Sequence, residues 1–363
     1  MMRRSDLIGQ LNTVDDREGI SVRILVTGGL GFIGSHLVRH LLVQENVWVT
    51  NLDALTYAGN PENLEDVQGN PRYQWRHASI TDEVAVNEVL SAEVFDAVMH
   101  LAAESHVDRS IEGGLAFVET NVVGTQILLE AARRHGVGRF LHVSTDEVYG
   151  SLGPSGLFSE DSPLTPNSPY SASKAASDLL ALAAFRTHGQ DVVVTRCSNN
   201  FGPNQFPEKL IPLYITNGFQ KEPWPLYGDG ANVRDWIYVK DHIEALWLAL
   251  IKGRAGEVYN IGARNERTNR EVAATLLTLL QLPEETVIAV PDRLGHDRRY
   301  AIDPSKAERE LGFHPQFGWE TALEATVVWY REHRSWWKAI KSGQYRDFYH
   351  RQYPTLGTFA HDG

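Results

Sequence analysis

The 363-residue chain has a single cysteine, Cys197, only three methionines, and no apolar run long enough to span a membrane. A lone cysteine excludes an internal disulfide and fits a reducing compartment, so Cys197 is read as a small residue within a strand. Positive charge is also scarce: 34 Lys and Arg stand against 46 Asp and Glu, a formal net charge of −12. Such a surface argues against general nucleic-acid binding but leaves room for a locally basic pocket that receives a nucleotide. Internal repeats and low-complexity segments are missing too. Residues 1–20 lack the apolar core of a secretory signal and are expected to form a poorly ordered extension, with a cytoplasmic location. His36 and His40 stand four apart, but Leu37 occupies the place of a metal-site glutamate. No metal site is therefore expected.

What is present begins with Val22-Arg-Ile-Leu-Val-Thr-Gly28-Gly-Leu-Gly31-Phe32-Ile33-Gly34, an apolar run that breaks at glycines into a helical pattern. Gly28, Gly31 and Gly34 supply a tight turn, a close backbone approach and close helix packing, which a dinucleotide pyrophosphate needs. The free N–H groups of the following helix then hold the anion. A glycine-rich corner with no ligand has the same local pattern. The second apolar run, Val47 to Asp53, ends in an acid followed by Ala54. A carboxylate there accepts hydrogen bonds from both adenosine ribose hydroxyls and repels a 2′-phosphate, which favours NAD over NADP.

Strand-like runs recur at 22–26, 47–52, 73–77, 95–101, 139–143 and 191–196, with helical patterns at 33–43, 83–90, 115–134 and 171–185. This alternation predicts an α/β fold with a doubly wound parallel sheet. After Asn199 prolines, glycines and aromatics replace the regular pattern, as in Pro223-Trp-Pro-Leu-Tyr-Gly-Asp-Gly230. The division expected is an extension 1–20, a Rossmann-type NAD-binding domain 21–197, a smaller mixed α/β substrate-binding domain 198–345, and a tail 346–363. Segments near 235–262 are expected to return to the sheet, with a return strand near Asp235–Val239.

Tyr170-Ser-Ala-Ser-Lys174 opens a predicted helix, where residues four apart share a face. A tyrosine with an ordinary pKa near ~10 is a poor base at neutral pH, and a fixed neighbouring cation is expected to lower it. The fifth strand leads into Ser144-Thr145-Asp146-Glu147, which puts a hydroxyl and two acids at the carboxyl edge of the sheet, where ligand chemistry lies. Alternation along a strand sends successive side chains to opposite faces. Asp146 and Glu147 can serve one substrate only if the strand has ended by about Ser144; a solvated acidic loop is the alternative.

With these motifs the chain resembles the extended short-chain dehydrogenase/reductases, and among them the dTDP-glucose 4,6-dehydratase family, over roughly residues 22–330. The similarity includes Asp53-Ala-Leu-Thr-Tyr-Ala-Gly-Asn60, Leu101-Ala-Ala-Glu-Ser-His-Val-Asp-Arg109, Asn199-Asn-Phe-Gly-Pro-Asn204, Tyr227-Gly-Asp-Gly-Ala-Asn-Val-Arg-Asp-Trp236 and Gly295-His-Asp-Arg-Arg-Tyr300. Two departures stand out. Ser79 replaces the family's usual aspartate facing the adenine, and Leu294 replaces a proline.

The resemblance implies bound NAD, lined by Gly28, Gly31, Phe32, Ile33, Gly34, Asp53, Thr56, Ile80, Leu101, Ala102, Ala103, Ser105, Thr120, Tyr170, Lys174 and Asn200. It also implies dTDP-glucose as substrate, held by Ser105, Thr145, Asn199, Lys209, Leu210, Pro225, Tyr227, Arg234, Asn269 and His296, with Arg234 as a diphosphate clamp. Tyr170 would take the sugar 4-hydroxyl proton with Thr145 hydrogen-bonded to that oxygen, and Lys174 would hold the ribose and depress the tyrosine pKa. Glu147 would remove the C5 proton, and a protonated Asp146 would assist the departing 6-hydroxyl. Nucleotide-sugar 4-epimerases share the tyrosine and lysine but usually carry small residues at the positions of Asp146 and Glu147. A UDP-sugar 4,6-dehydratase is a further alternative. The helices at 115–134 and 171–185 carry apolar residues over more of their circumference than one sheet face covers, so a homodimer through a four-helix bundle is expected.

Overall fold

The computed structural model describes residues 21–342. The expected extension 1–20 and tail 346–363 lie outside the described residues, as do the last three positions of the expected substrate domain. Seven parallel strands form the main sheet: β1 (Val22–Thr27), β2 (Val47–Asp53), β3 (Tyr73–His77), β4 (Ala97–His100), β5 (Arg139–Thr145), β6 (Val192–Cys197) and β10 (Val258–Ile261). Their order is β10-β6-β5-β4-β1-β2-β3. The reversal of direction beside β1 makes a crevice at the carboxyl ends of β1 and β4, the place where such sheets take ligands.

Period-two alternation divides the core. Val22, Ile24 and Val26 pack on one face with Leu37, Val38 and Leu41 of helix α1 (Phe32–Val43). Leu25 points to the other face, where Val98, Phe140, Val192 and Val194 meet Leu128 and Leu129 of helix α2 (Thr125–Arg134) and Leu182 of helix α3 (Pro169–His188). Both sheet faces are thus buried, which is why the strands read as near-continuous apolar runs.

The helix at 115–134 is not uniformly α-helical: Leu115–Phe117 passes into a π-helical stretch, Val118–Gly124, before α2. In that stretch the Gly124 position permits close approach, since a Cβ there would lie 2.7 Å from Ile80. Among the described residues, no helix is long and apolar enough to cross a membrane.

The strand expected near Asp235–Val239 does not return to the main sheet. β9 (Val233–Tyr238) lies in a separate three-stranded sheet between β7 (Asn199–Phe201) and β11 (Glu266–Thr268). The strand that extends the main sheet is β10, which pairs with β6. A third, two-stranded sheet joins β8 (Trp224–Tyr227) to β12 (Val287–Val290) in parallel. The proline-rich segments between 199 and 230 therefore feed small sheets and loops beside the carboxyl edge of the main one.

Candidate active site

The nucleotide corner forms as its glycines dictate. Gly28 has φ +76°, and a Cβ there would meet Ala102 N at 2.8 Å; a Cβ on Gly34 would stand 2.1 Å from Gly28 O. Glycine alone fits both positions. Gly31 caps α1 with no side-chain hydrogen bond, and Phe32, Ile33 and Gly34 of its first turn line the cavity. Asp53 ends β2 and receives the N–H groups of Leu30 and Leu55 on its two oxygens, both at 2.9 Å or less. Burial nevertheless pushes its carboxyl up, against those two bonds.

A cleft of about 320 Å³ runs from this corner to α3. All sixteen residues expected at the cofactor line it: Gly28, Gly31, Phe32, Ile33, Gly34, Asp53, Thr56, Ile80, Leu101, Ala102, Ala103, Ser105, Thr120, Tyr170, Lys174 and Asn200. Ser79 lines it too, with its hydroxyl 2.7 Å from that of Thr81.

A second cavity, of about 150 Å³, adjoins it and shares Glu147, Asn199, Asn200, Gln205, Glu208 and Lys209. Asn199, Lys209, Leu210, Pro225, Tyr227, Arg234, Asn269 and His296 line this second space, whereas Ser105 and Thr145 line only the first. The Arg234 guanidinium donates to Val233 O and Asp297 O at 2.7 and 2.9 Å, and lies 4.1 Å from the Tyr300 ring centre. His296 Nδ1 is 2.6 Å from an Asp292 oxygen, and burial holds the imidazole down at about 4. Lys209 Nζ donates to Ser105 O at 2.9 Å, tying the substrate side to the cofactor side.

Helix α3 starts where its sequence says it must. Ser168 and Ser171 form a reciprocal capping box, and Pro169 fills the first turn. Such a cap contributes about 1 kcal/mol and fixes Tyr170 and Lys174 one turn apart on the wall of the cleft. The Lys174 ammonium donates to Val143 O at 2.9 Å. The expectation that Lys174 lowers the Tyr170 pKa is not met by this geometry. Burial pushes the Tyr170 phenol well up, and the nearby Glu147 carboxylate adds to the rise. The influence that opposes this rise is a side-chain hydrogen bond with Thr145.

β5 runs to Thr145, one residue beyond the limit expected from side-chain alternation, and a 3₁₀ turn, Asp146–Tyr149, then breaks the strand. Thr145 Oγ1 accepts from Glu147 N at 3.3 Å and so caps that turn. The turn separates the two acids. Glu147 lines both cavities, while Asp146 lines neither; it sits in the wall between Thr145 and Glu147, with Oδ2 buried and without a hydrogen-bond partner. Burial, then the neighbouring Glu147 and Asp235 carboxylates, raise Asp146 well above the carboxylate range. Burial raises Glu147 as well, opposed by Arg293, Lys209 and Arg234.

Sequence reasoning missed several charged groups here. Arg293 Nη1 lies 3.3 Å from Asp108, and Glu208 pairs with Arg109 at 3.3 Å beneath the junction of the cavities. Arg293 precedes the Gly295-His296 stretch, so its nearness to a matched motif was the available signal. Glu208, next to Lys209, carried none. His36, on the other hand, is tied by Nε2 to Pro203 O at 2.9 Å.

A glycine corner at the head of a parallel sheet, an acid closing its second strand, and a tyrosine and lysine one helical turn apart define an extended short-chain dehydrogenase/reductase. The family model described as GDP-mannose 4,6 dehydratase matches residues 25–326. A dTDP-glucose 4,6-dehydratase of Streptomyces griseus is 54% identical over 324 residues, 88% of this chain and 98% of that protein. The dTDP-glucose 4,6-dehydratase of Streptomyces venezuelae, solved with NAD bound, superposes with a TM-score of 0.86 at 54% identity and covers 88% of this chain and 100% of that one. A UDP-glucose 4-epimerase from Thermotoga maritima, solved with UDP-glucose, is more distant: TM-score 0.81 and 32% identity over 86% of this chain and 99% of its own. The chain belongs to the dTDP-glucose 4,6-dehydratase family.

Proposed function

We propose that this protein is a NAD-dependent hydro-lyase that converts dTDP-glucose to dTDP-4-keto-6-deoxyglucose and water. The observation that carries this reading is the pair at the end of β5. Glu147 faces the junction of the cofactor cleft and the second cavity, on the side of Tyr170 and Lys174, and Asp146, its carboxyl raised well above its ordinary value by burial, stands in the wall next to it. An epimerase has no leaving hydroxyl to protonate and no use for two such acids.

The cleft fits NAD. Its glycine floor admits no Cβ at Gly28 or Gly34, and Asp53 presents a carboxylate where a ribose diol belongs and a 2′-phosphate is repelled. When bound, NAD supplies the acceptor for the C4 hydride and later the donor to C6. Lys174 holds the ribose hydroxyls, and Phe32 and Ile33 open the helix whose N–H groups receive the pyrophosphate. With the positive nicotinamide of bound NAD beside it to offset burial, the Tyr170 phenol would ionise and accept the proton of the sugar 4-hydroxyl, with Thr145 hydrogen-bonded to that oxygen. The resulting 4-ketone acidifies C5, from which Glu147 removes the proton. Asp146, its carboxyl raised by burial, would protonate the departing 6-hydroxyl once that carboxyl turns from the wall toward the cavity, and water leaves. Arg234, whose planar fork suits paired phosphate oxygens, clamps the diphosphate, while Asn199, Lys209, Leu210, Pro225, Tyr227, Asn269 and His296 surround the nucleotide and sugar.

The division into an NAD-binding domain 21–197 and a substrate-binding domain from 198 onward belongs to the same reading, with β10 returned to the first. So do a cytoplasmic location and a homodimer. Exposed apolar side chains supporting a dimer face lie on the two helices expected to pair: Leu115 is 70% exposed, Val118 46%, Val123 48% and Leu179 56%. These exposed apolar side chains support a docking face, which a two-fold pairing would bury in a four-helix bundle.

The test is incubation with dTDP-, UDP- and GDP-hexoses. A keto product one water lighter, formed fastest from dTDP-glucose, is expected. A product of unchanged mass inverted at C4 would overturn the reading.

A further inference from the structure

Beneath the site lies a buried polar chain that the mechanism above does not use. Asp178 is fully buried on α3, eight residues past Tyr170 and four past Lys174, hence on the same helical face. Its Oδ2 accepts from Arg196 Nε at 2.8 Å, and its Oδ1 lies 3.3 Å from His142 Nε2. Arg196 Nη1 donates onward to Tyr149 Oη at 2.8 Å, and that hydroxyl donates to Asn260 Oδ1 at 2.8 Å. The side chains of His142 and Asp178 are 0% exposed and that of Arg196 is 3%.

We propose that Asp178, held by Arg196, is a positioning residue that keeps the Lys174 ammonium protonated and seated in the cofactor cleft. The inference rests on the role given to Lys174 above. Its basis is charge balance in a buried space. Two cations, Lys174 and Arg196, are buried around the Asp178 carboxylate, and removing that carboxylate leaves two like charges in a low dielectric. Arginine does not give up its proton there, so lysine must.

The other groups facing Lys174 do not supply the missing charge. Tyr170 on its own helix, His100 on β4 and His142 on β5 are neutral near pH 7, the phenol raised and both imidazoles lowered by burial. Burial pushes the Cys197 thiol on β6 up to about 12. On the turn after β5, burial raises Asp146, and the Glu147 carboxylate is balanced by Arg293, Lys209 and Arg234 instead of by Lys174. Lys174 itself is lowered by burial, with Asp178 opposing the fall.

The experiment compares pH profiles of turnover and of NAD retention for the parent, Asp178→Asn and Arg196→Gln. Asp178→Asn is expected to move the alkaline limb of both profiles down by about one pH unit or more, a tenfold change in the Lys174 proton equilibrium per unit. Arg196→Gln removes the competing cation and is expected to move the limb up. A uniform loss of activity in Asp178→Asn with its alkaline limb in place would overturn the proposal, because a purely structural role scales the profile without shifting it. If Asp178→Asn is not recovered folded, Arg196→Gln decides: a limb that moves down or stays fixed overturns the proposal. A parent that retains NAD but makes no keto sugar refutes the functional reading instead, and the charge balance is then read from NAD retention alone.

Discussion

Asp146 and Glu147 are adjacent in sequence but stand in different surroundings: Glu147 faces both cavities, while Asp146 faces neither and keeps one carboxyl oxygen buried without a partner. The 3₁₀ turn after Thr145 makes this separation possible. Burial raises both carboxyls, but the charges of Glu147 and Asp235 add to the rise at Asp146, whereas Arg293, Lys209 and Arg234 oppose it at Glu147. This difference is the one that the proposed acid and base roles require.

Glu147→Gln keeps the shape of the proposed base and removes its carboxylate. Product formation is expected to fall by about 10²–10⁴-fold, while reduced cofactor accumulates after substrate is added, read from its absorbance. A variant with NAD bound and no cofactor reduction at all would assign Glu147 to the oxidation step instead.

Asp146→Asn is expected to lower turnover by about 10²-fold or more without loss of fold. The stability effect has a definite sign. The carboxyl of Asp146 is raised by burial, so its neutral form favours the folded state below the ordinary carboxylate range, and that contribution is lost as pH rises through the raised value. The asparagine variant is spared that loss. Denaturant midpoints of the two proteins should agree near pH ~3 and separate in favour of Asp146→Asn as pH rises.

Asp53→Ala removes the carboxylate at the end of β2. Loss of charge-assisted hydrogen bonds worth about 1.5–3 kcal/mol predicts roughly 10- to 100-fold weaker NAD retention, and a smaller preference for NAD over NADP. Measuring cofactor retained on the purified proteins checks both effects.

Leu179→Glu places a charge on the exposed apolar surface of α3 without touching the buried core. Light scattering is expected to show a dimer in the parent and a monomer in the variant. The variant should also lose activity, since the same helix carries Tyr170 and Lys174.

Much of this site was legible in the sequence because its parts are local. A glycine corner, an acid closing a strand, and a tyrosine four residues before a lysine are patterns of spacing, and spacing fixes faces and turns. The resemblance to a known family then placed Asn199, Arg234, Asn269 and His296, which local pattern alone does not join. What sequence could not give depends on contacts across the fold. Asp235–Val239 reads as a strand, but its partners, β7 and β11, are decided by packing far from it in the chain. Glu208 meets Arg109, ninety-nine residues away in sequence. The balance at Tyr170 also depended on how deeply the phenol and the Lys174 ammonium are buried, which spacing does not reveal.

The most direct test of the account follows a label through one turnover. With dTDP-glucose carrying deuterium at C4, the protein should release dTDP-4-keto-6-deoxyglucose, one water lighter, with the deuterium now at C6. A product that retains its 6-hydroxyl, or one whose C6 carries no label, would contradict it.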